Sequence, residues 1–175
     1  MPCALTGSQL LDCKDGVGGI KEIKIKAHPG TTVIGTDFTI SSGSVTAIAA
    51  GASRATWYTY GVEKETASVN DNPQPNAPNG TLWFQQELKL VMNKLSAGHS
   101  YEMSVLGKNR LLIAVRDMND SYFLIGLKFG ADLTAGTSGT GAARGDRGGY
   151  ELTFTAKEDL PVQFITAAIY DTLVT

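Results

Sequence analysis

Leu82-Trp83-Phe84-Gln85-Gln86-Glu87-Leu88-Lys89-Leu90-Val91-Met92 opens the stretch, residues 81–129, from which the fold is read. Leu82, Phe84, Leu88, Leu90 and Met92 share one parity, with Gln86 out of character among them. Trp83, Gln85, Glu87, Lys89 and Val91 share the other. A period of two over this length predicts a long strand with one buried face. Farther on stand Arg110-Leu-Leu-Ile-Ala-Val-Arg116 and Ser121-Tyr-Phe-Leu-Ile-Gly-Leu-Lys-Phe129, separated by Asp117-Met-Asn-Asp120. Two apolar runs flanking an Asn-Asp turn predict a hairpin. The stretch is a scaffold that pairs with other strands, not a carrier of chemistry.

The 175 residues suit a single domain, 1–175, able to bury roughly 70% of its unfolded surface. A formal net charge of −2 leaves no electrostatic footprint for gripping nucleic acid. Twenty glycines, with threonine common in the apolar runs, favour short strands and turns. Cys3 and Cys13 lack the spacing of redox or zinc motifs, and both are expected as free thiols in a reducing cytoplasm. No charged-then-apolar leader opens the chain, and no apolar run approaches the ~20 residues that span a bilayer, so no membrane insertion is expected.

Outward from the central stretch, residues 1–19 read as an N-terminal arm. Ile20-Lys-Glu-Ile-Lys-Ile-Lys-Ala27 alternates as a half-buried strand with Glu22, Lys24 and Lys26 on a solvated face. His28-Pro29-Gly30 ends it. Residues 31–40 and 45–50 are further strand candidates, and 56–66 is a strand dense in aromatics whose charged end carries Glu63 and Glu65. Residues 68–80 hold Pro73, Pro75 and Pro78 and read as a long loop unable to make a ladder. One short helix is expected between Asn93 and Asn109, capped by Ser96 or Ser100 and ended at Gly107. The Gly-rich segment 130–149 reads as a second long loop. Tyr150-Glu-Leu-Thr-Phe-Thr-Ala156 alternates as a strand, 162–165 resumes as a short one, and 166–175 packs as a final strand or against a neighbour. The expected fold is mainly β: an antiparallel β-sandwich or barrel of about seven to nine strands with one short helix and long loops.

The search for chemistry returns nothing. Gly139-Thr-Gly141-Ala-Ala-Arg144 begins like a dinucleotide fingerprint, but Arg144 stands where the third glycine belongs and a strand follows where a helix is needed. Arg144-Gly145-Asp146 matches an adhesion tripeptide with no supporting context. Asp117, Asn119 and Asp120 resemble the start of a calcium loop without its glycine and bidentate Glu, so a hairpin turn is expected there. His28 and His99 have no base, orienter or metal-ligand partners in the pattern. No catalytic, cofactor-binding or metal residues are assigned, no cofactor is implied, and the chain reads as a non-enzyme.

Several stretches together resemble small virion proteins of tailed bacteriophages, of the kind found in phages of Bacteroidetes hosts: tail tube or tail-tube-like structural proteins. They are Cys3-Ala-Leu-Thr-Gly7, Asp12-Cys-Lys-Asp-Gly-Val-Gly-Gly-Ile-Lys-Glu22, Glu63-Lys-Glu-Thr-Ala67, Gly80-Thr-Leu-Trp-Phe-Gln-Gln-Glu-Leu88, Asn93-Lys-Leu95, Asn109-Arg-Leu-Leu112 and Gly148-Gly-Tyr-Glu-Leu-Thr-Phe-Thr155. Their order and spacing carry the resemblance over most of the chain; residues 70–78 lie outside it. The resemblance implies a β-sandwich with a flanking helix and long loops. It implies self-association into hexameric rings that stack into a tube, contacts with other tail or neck proteins, and assembly in the host cytoplasm into the virion tail. DNA would pass through the lumen without sequence-specific binding. The arm 1–19 and the segments 68–80 and 130–149 would bridge neighbours, with 82–92 and 150–156 in or near the inner sheet. The alternatives are a neck, ring or connector component of a phage, and a ligand-binding β-sandwich in which Trp57, Tyr58, Tyr60 and Trp83 form a stacking platform.

Overall fold

The computed structural model describes residues 14–30, 37–49 and 56–173. In chain order the strands are β1 (Ile20–Ala27), β2 (Phe38–Ser41), β3 (Ser44–Ile48), β4 (Tyr58–Gly61), β5 (Ser68–Asn76) and β6 (Thr81–Asn93). Helix α1 (Ala97–Leu106) follows, then β7 (Leu111–Asp117), β8 (Tyr122–Ile125), β9 (Ala131–Gly139), β10 (Gly149–Glu158), β11 (Gln163–Ile165) and helix α2 (Ala167–Asp171).

Leu111 to Val115 in β7 are buried without interruption, because this strand is covered on both faces. β7 pairs antiparallel with β1 on one side and with β8 on the other. Beyond β8 the layer continues through β11 to β3 and β2, and beyond β1 to β4. A second layer runs β9-β10-β6-β5. Among the described residues the two layers join at a single pairing, Leu111 with Ala131. Between them lies the main core. Ile23, Ile25, Ile113, Val115 and Ile125 from the first layer meet Leu88, Leu90, Leu152 and Phe154 from the second. The outer face of the first layer is also covered: Leu112, Ala114 and Leu124 pack with Phe38, Ile48, Trp57, Tyr170 and Leu173.

The expected mainly-β sandwich with a flanking helix is therefore the architecture, in a fuller form. Among the described residues eleven strands and two helices stand where about seven to nine strands and one helix were expected. One pair is parallel, β11 with β3 through Phe164–Ser44 and Ile165–Val45, so the sheet is mixed and not purely antiparallel. The hairpin across residues 117–120 forms as read. Asp117 accepts from the backbone N–H groups of Asn119 (2.9 Å) and Ser121 (2.7 Å), and Asp120 takes a positive φ of 58°. Helix α1 is capped by Ser96, whose Oγ accepts from His99 N–H at 3.1 Å.

Four expectations need correction. Residues 68–80 are not a long loop: 68–76 form β5, paired in unbroken register with β6 from Ser68–Lys89 to Asn76–Thr81. β5 is the outermost strand of its layer. Pro73 and Pro75 are two residues apart, so both missing N–H groups fall on the side away from β6, where no ladder bond is lost. Residues 130–149 are likewise mostly strand, with β9 reaching Gly139 and only 140–148 connecting it to β10. The tail at 166–171 turns into α2, with Thr166 as its N-cap, where a final strand was the alternative. The strand within 56–66 is short, 58–61, and Glu63 and Glu65 lie beyond it. Residues 1–13 of the expected arm, including Cys3 and Cys13, and 31–36 of a strand candidate lie outside the described residues.

The supposedly solvated face of β1 carries α2. Lys24 Nζ donates to the carbonyls of Tyr170 (3.1 Å) and Leu173 (3.0 Å) and sits 4.3 Å from the centre of the Tyr170 ring. Both carbonyls lie at the C-terminal end of α2 or just past it, where a cation is stabilising. Tyr170 Oη donates to Glu22 at 2.9 Å, and burial together with that carboxylate raises the phenol's pKa. Lys26 is buried too, and its ammonium is pushed below the usual lysine range by desolvation. Lys24→Met keeps the aliphatic stem but removes two charge-assisted bonds. It is expected to cost roughly 2 kcal/mol, read as a lower urea midpoint with loss of the near-ultraviolet dichroism of Tyr170.

Candidate functional site

The residues singled out for chemistry do not converge. His28 Nδ1 accepts from Gly30 N–H at 3.1 Å and Nε2 faces Leu127 O at 3.4 Å. Burial and the nearby Arg110 keep its pKa below the ordinary histidine value. His99 lies at the start of α1, its Nδ1 3.1 Å from Lys94 O and its ring edge-on to Tyr150. Asp146 of the Arg-Gly-Asp triplet is occupied locally. Its carboxylate accepts from the N–H groups of Ala142 and Ala143, both at 2.8 Å, which lowers its pKa. No group of three or more His, Cys, Asp or Glu side chains is placed to hold a metal among the described residues. No helix of the described residues is long and apolar enough to cross a membrane. The aromatic platform is not formed: Trp57 is buried in the second core, whereas Trp83 lies on β6 beneath Lys157, 5.6 Å from its ring.

What remains is a set of surfaces, and strand register places them. β10 pairs with β6 from Gly149–Asn93 to Glu158–Phe84. Past Phe84 the β5–β6 hairpin has no third strand among the described residues. Gln74 to Trp83 form a two-stranded projection whose residues 74–82 are exposed, with Leu82 at 55% accessibility. The connection 140–148 lies at the other end of the same layer, where Lys94 N–H donates to Gly148 O at 2.9 Å. With ~3.3 Å per residue along β6, tip and connection stand about 40 Å apart at opposite ends of one layer. Sequence reasoning found both segments but as loops. The signal it missed in the first is the even spacing of Pro73 and Pro75.

Two buried polar side chains hold the layers together beside this projection. Gln86 Oε1 accepts from Gly126 N–H at 3.0 Å, and its Nε2 donates to Leu160 O at 3.2 Å. The Glu158 carboxylate accepts from Lys128 N–H at 3.1 Å and Phe129 N–H at 2.8 Å. Burial raises the Glu158 pKa against the opposing pull of those N–H groups. Together they staple the turn 126–130 of the first layer to β6 and β10 of the second. Gln86 is the residue that broke the apolar parity of the opening stretch, and this is its use.

Compared with protein families, curated proteins and solved structures, the chain finds no match.

Proposed function

We propose that the chain is a non-enzymatic virion subunit of a tailed bacteriophage, the tail tube protein, which assembles into rings that stack into a conduit for DNA. The observation that carries this is the placement of two exposed projections at opposite ends of one strand layer. Copies stacked along the strand direction would bring the 77–80 tip of one against the 140–148 connection of the next. The tip is uncharged from Asn72 to Leu82, so contact there carries no like-charge repulsion. The resemblance across 80–88, 109–112 and 148–155 falls on β6, β7 and β10, which form the core of the layers. The partners on this reading are copies of itself and other tail or neck proteins, and the place of action is the virion tail. DNA passes without sequence-specific binding, in line with the near-neutral charge. A phage neck or ring component is the second reading, since such a ring uses the same fold without stacking. The ligand-binding reading loses its main support with the burial of Trp57.

Negative-stain microscopy with mass photometry over a concentration range tests the proposal. Long hollow tubes of uniform width are expected, and Leu82→Asp is expected to leave the fold intact while reducing tubes to short stacks or single rings. Closed rings that never stack in the unsubstituted protein would favour the connector reading. Monomers at every concentration would count against both.

A further inference from the structure

A hollow of ≈ 80 Å³ opens between β4 and α1. By volume it has room for on the order of six water molecules. Strand and helix periodicity supply its walls. Tyr58 and Tyr60 pair with Ile25 and Ile23 of β1, so all four side chains share the face turned to the main core. Two residues apart on one face, the tyrosine Cβ atoms stand roughly 6.7 Å apart. Glu102, Val105 and Leu106 recur at helical spacing along the side of α1 that meets them. The floor is apolar and closed: Ile25 is 2% accessible, Leu106 4% and Leu111 2%. The lip is open, with Tyr58 54% exposed.

One hydrogen bond ties the two walls together. Tyr60 Oη donates to Glu102 Oε1 at 2.6 Å. Burial and that carboxylate hold the phenol's pKa above its ordinary value, so it remains a donor at neutral pH. The bond fixes a carboxylate beside two aromatic rings and above an apolar floor. Lys26 also borders the hollow, but it falls on the opposite parity of β1 from Ile25 and Ala27. Its ammonium therefore leaves on the face that carries Lys24.

These walls select a ligand by its chemistry. The faces of the two rings attract a cation that comes within ~6 Å of their centres, and their spacing lets one cation reach both. The Glu102 carboxylate adds a full negative charge and opposes an anion. The floor offers no hydrogen-bond acceptor, so a bare ammonium or a guanidinium would leave N–H groups unpaired against Ile25, Leu106 and Leu111. A cation that carries methyl groups in place of N–H groups meets all three conditions.

We propose that the hollow between β4 and α1 is a binding site for a quaternary ammonium group, seated between Tyr58 and Tyr60 with its charge toward Glu102 and its methyl groups on the apolar floor. The site does not depend on the tail tube reading. It uses the two tyrosines of the expected aromatic platform, which the fold keeps on one face.

Saturation-transfer difference NMR on the full chain reads the N-methyl protons directly, and it tolerates large assemblies. Choline and tetramethylammonium are expected to give saturable signals with Kd on the order of millimolar. The carbon analogue of choline, with a tert-butyl group in place of trimethylammonium, is expected to bind at least about fivefold more weakly. Glycine betaine should also bind more weakly than choline, because its carboxylate opposes Glu102. Tyr58→Phe should retain binding. Tyr58→Leu keeps apolar bulk without a π face and should weaken binding by about fivefold or more. Glu102→Gln can still accept from Tyr60 and should lower the preference for choline over its carbon analogue. Unchanged far-ultraviolet dichroism in the variants separates these losses from unfolding. Equal affinity for choline and its carbon analogue, or binding untouched by Tyr58→Leu, would mean a merely apolar hollow and overturn the proposal. The absence of any saturable signal would overturn it too. Pelleting with phosphatidylcholine vesicles, reversed by free choline, would support the site and identify the carrier as a lipid headgroup. Choline binding without pelleting would support it and identify a soluble ligand.

Discussion

Gly126→Ala is expected to destabilise the chain by roughly 3–5 kcal/mol, much of the stability of an ordinary domain. Gly126 has φ +69°, where an L side chain is strained by about 1–2 kcal/mol. A methyl group there would lie 2.6 Å from Ala131 N, 2.8 Å from the Gly130 carbonyl carbon and 3.0 Å from Leu111 O. All three are backbone atoms, so no rotamer change relieves the clash. Leu111 and Ala131 are also the pairing that joins the two layers, and the neighbouring Gly126 N–H bonds Gln86. Moving that backbone to admit a methyl group opens the seam. Chemical denaturation should show the loss as a shifted midpoint, with a smaller m-value if the layers separate before the core melts. A midpoint within experimental error of the unsubstituted chain would show that the turn is not the fixed joint described here.

Glu158→Ala is expected to cost roughly 2–4 kcal/mol at neutral pH, because it leaves the N–H groups of Lys128 and Phe129 buried without their acceptor. Glu158→Gln should be much milder, since one carbonyl oxygen remains to accept from both. The pair separates through pH. Glu158 has its pKa raised above 4.5 by burial. A carboxyl group with a raised folded-state pKa adds stability below its unfolded value and loses that contribution as pH rises through the folded value. The difference in stability between the original chain and Glu158→Gln should therefore move against the original chain as pH rises from the ordinary glutamate range through the raised folded-state value. Carboxylates with lowered values, such as Asp120 and Asp146, act in the opposite direction but cancel in the comparison. A flat difference curve would show that Glu158 meets similar surroundings folded and unfolded.

The regular alternation of residues 82–92, 150–156 and 20–27, and the turn chemistry of 117–120, made the main strands legible because burial of one face imposes the period directly. What stayed hidden depended on context. The prolines at 73 and 75 argue against a strand anywhere but an outermost one, and position within a sheet is a tertiary property. The charges of β1 read as solvated because nothing local announces that the end of α2 will rest its carbonyls on Lys24. Gln86 registered only as an irregularity, since its partners Gly126 and Leu160 are 40 and 74 residues away. The candidate surfaces were visible as segments too polar for a core. Their placement at opposite ends of one layer follows from the register of β6 with β10, which no single segment encodes.

The parallel pairing of β3 with β11 sets an order of events during synthesis. Ser44 Oγ donates to Phe164 O across 120 residues of chain. On a ribosome β3 is made early, yet its partner strand and the α2 residues Tyr170 and Leu173 are the last of the described residues to appear. Until then Leu112, Ala114 and Leu124 lack the part of their outer cover that Ile165, Tyr170 and Leu173 supply. A half-made subunit can therefore bring β1, β4 and β7 together but remains sticky on one side, a state in which aggregation competes with completion. Ribosome-stalled chains ending before residue 160 should accordingly bind a hydrophobic dye and resist refolding, while chains carried past residue 173 and clear of the exit tunnel should not.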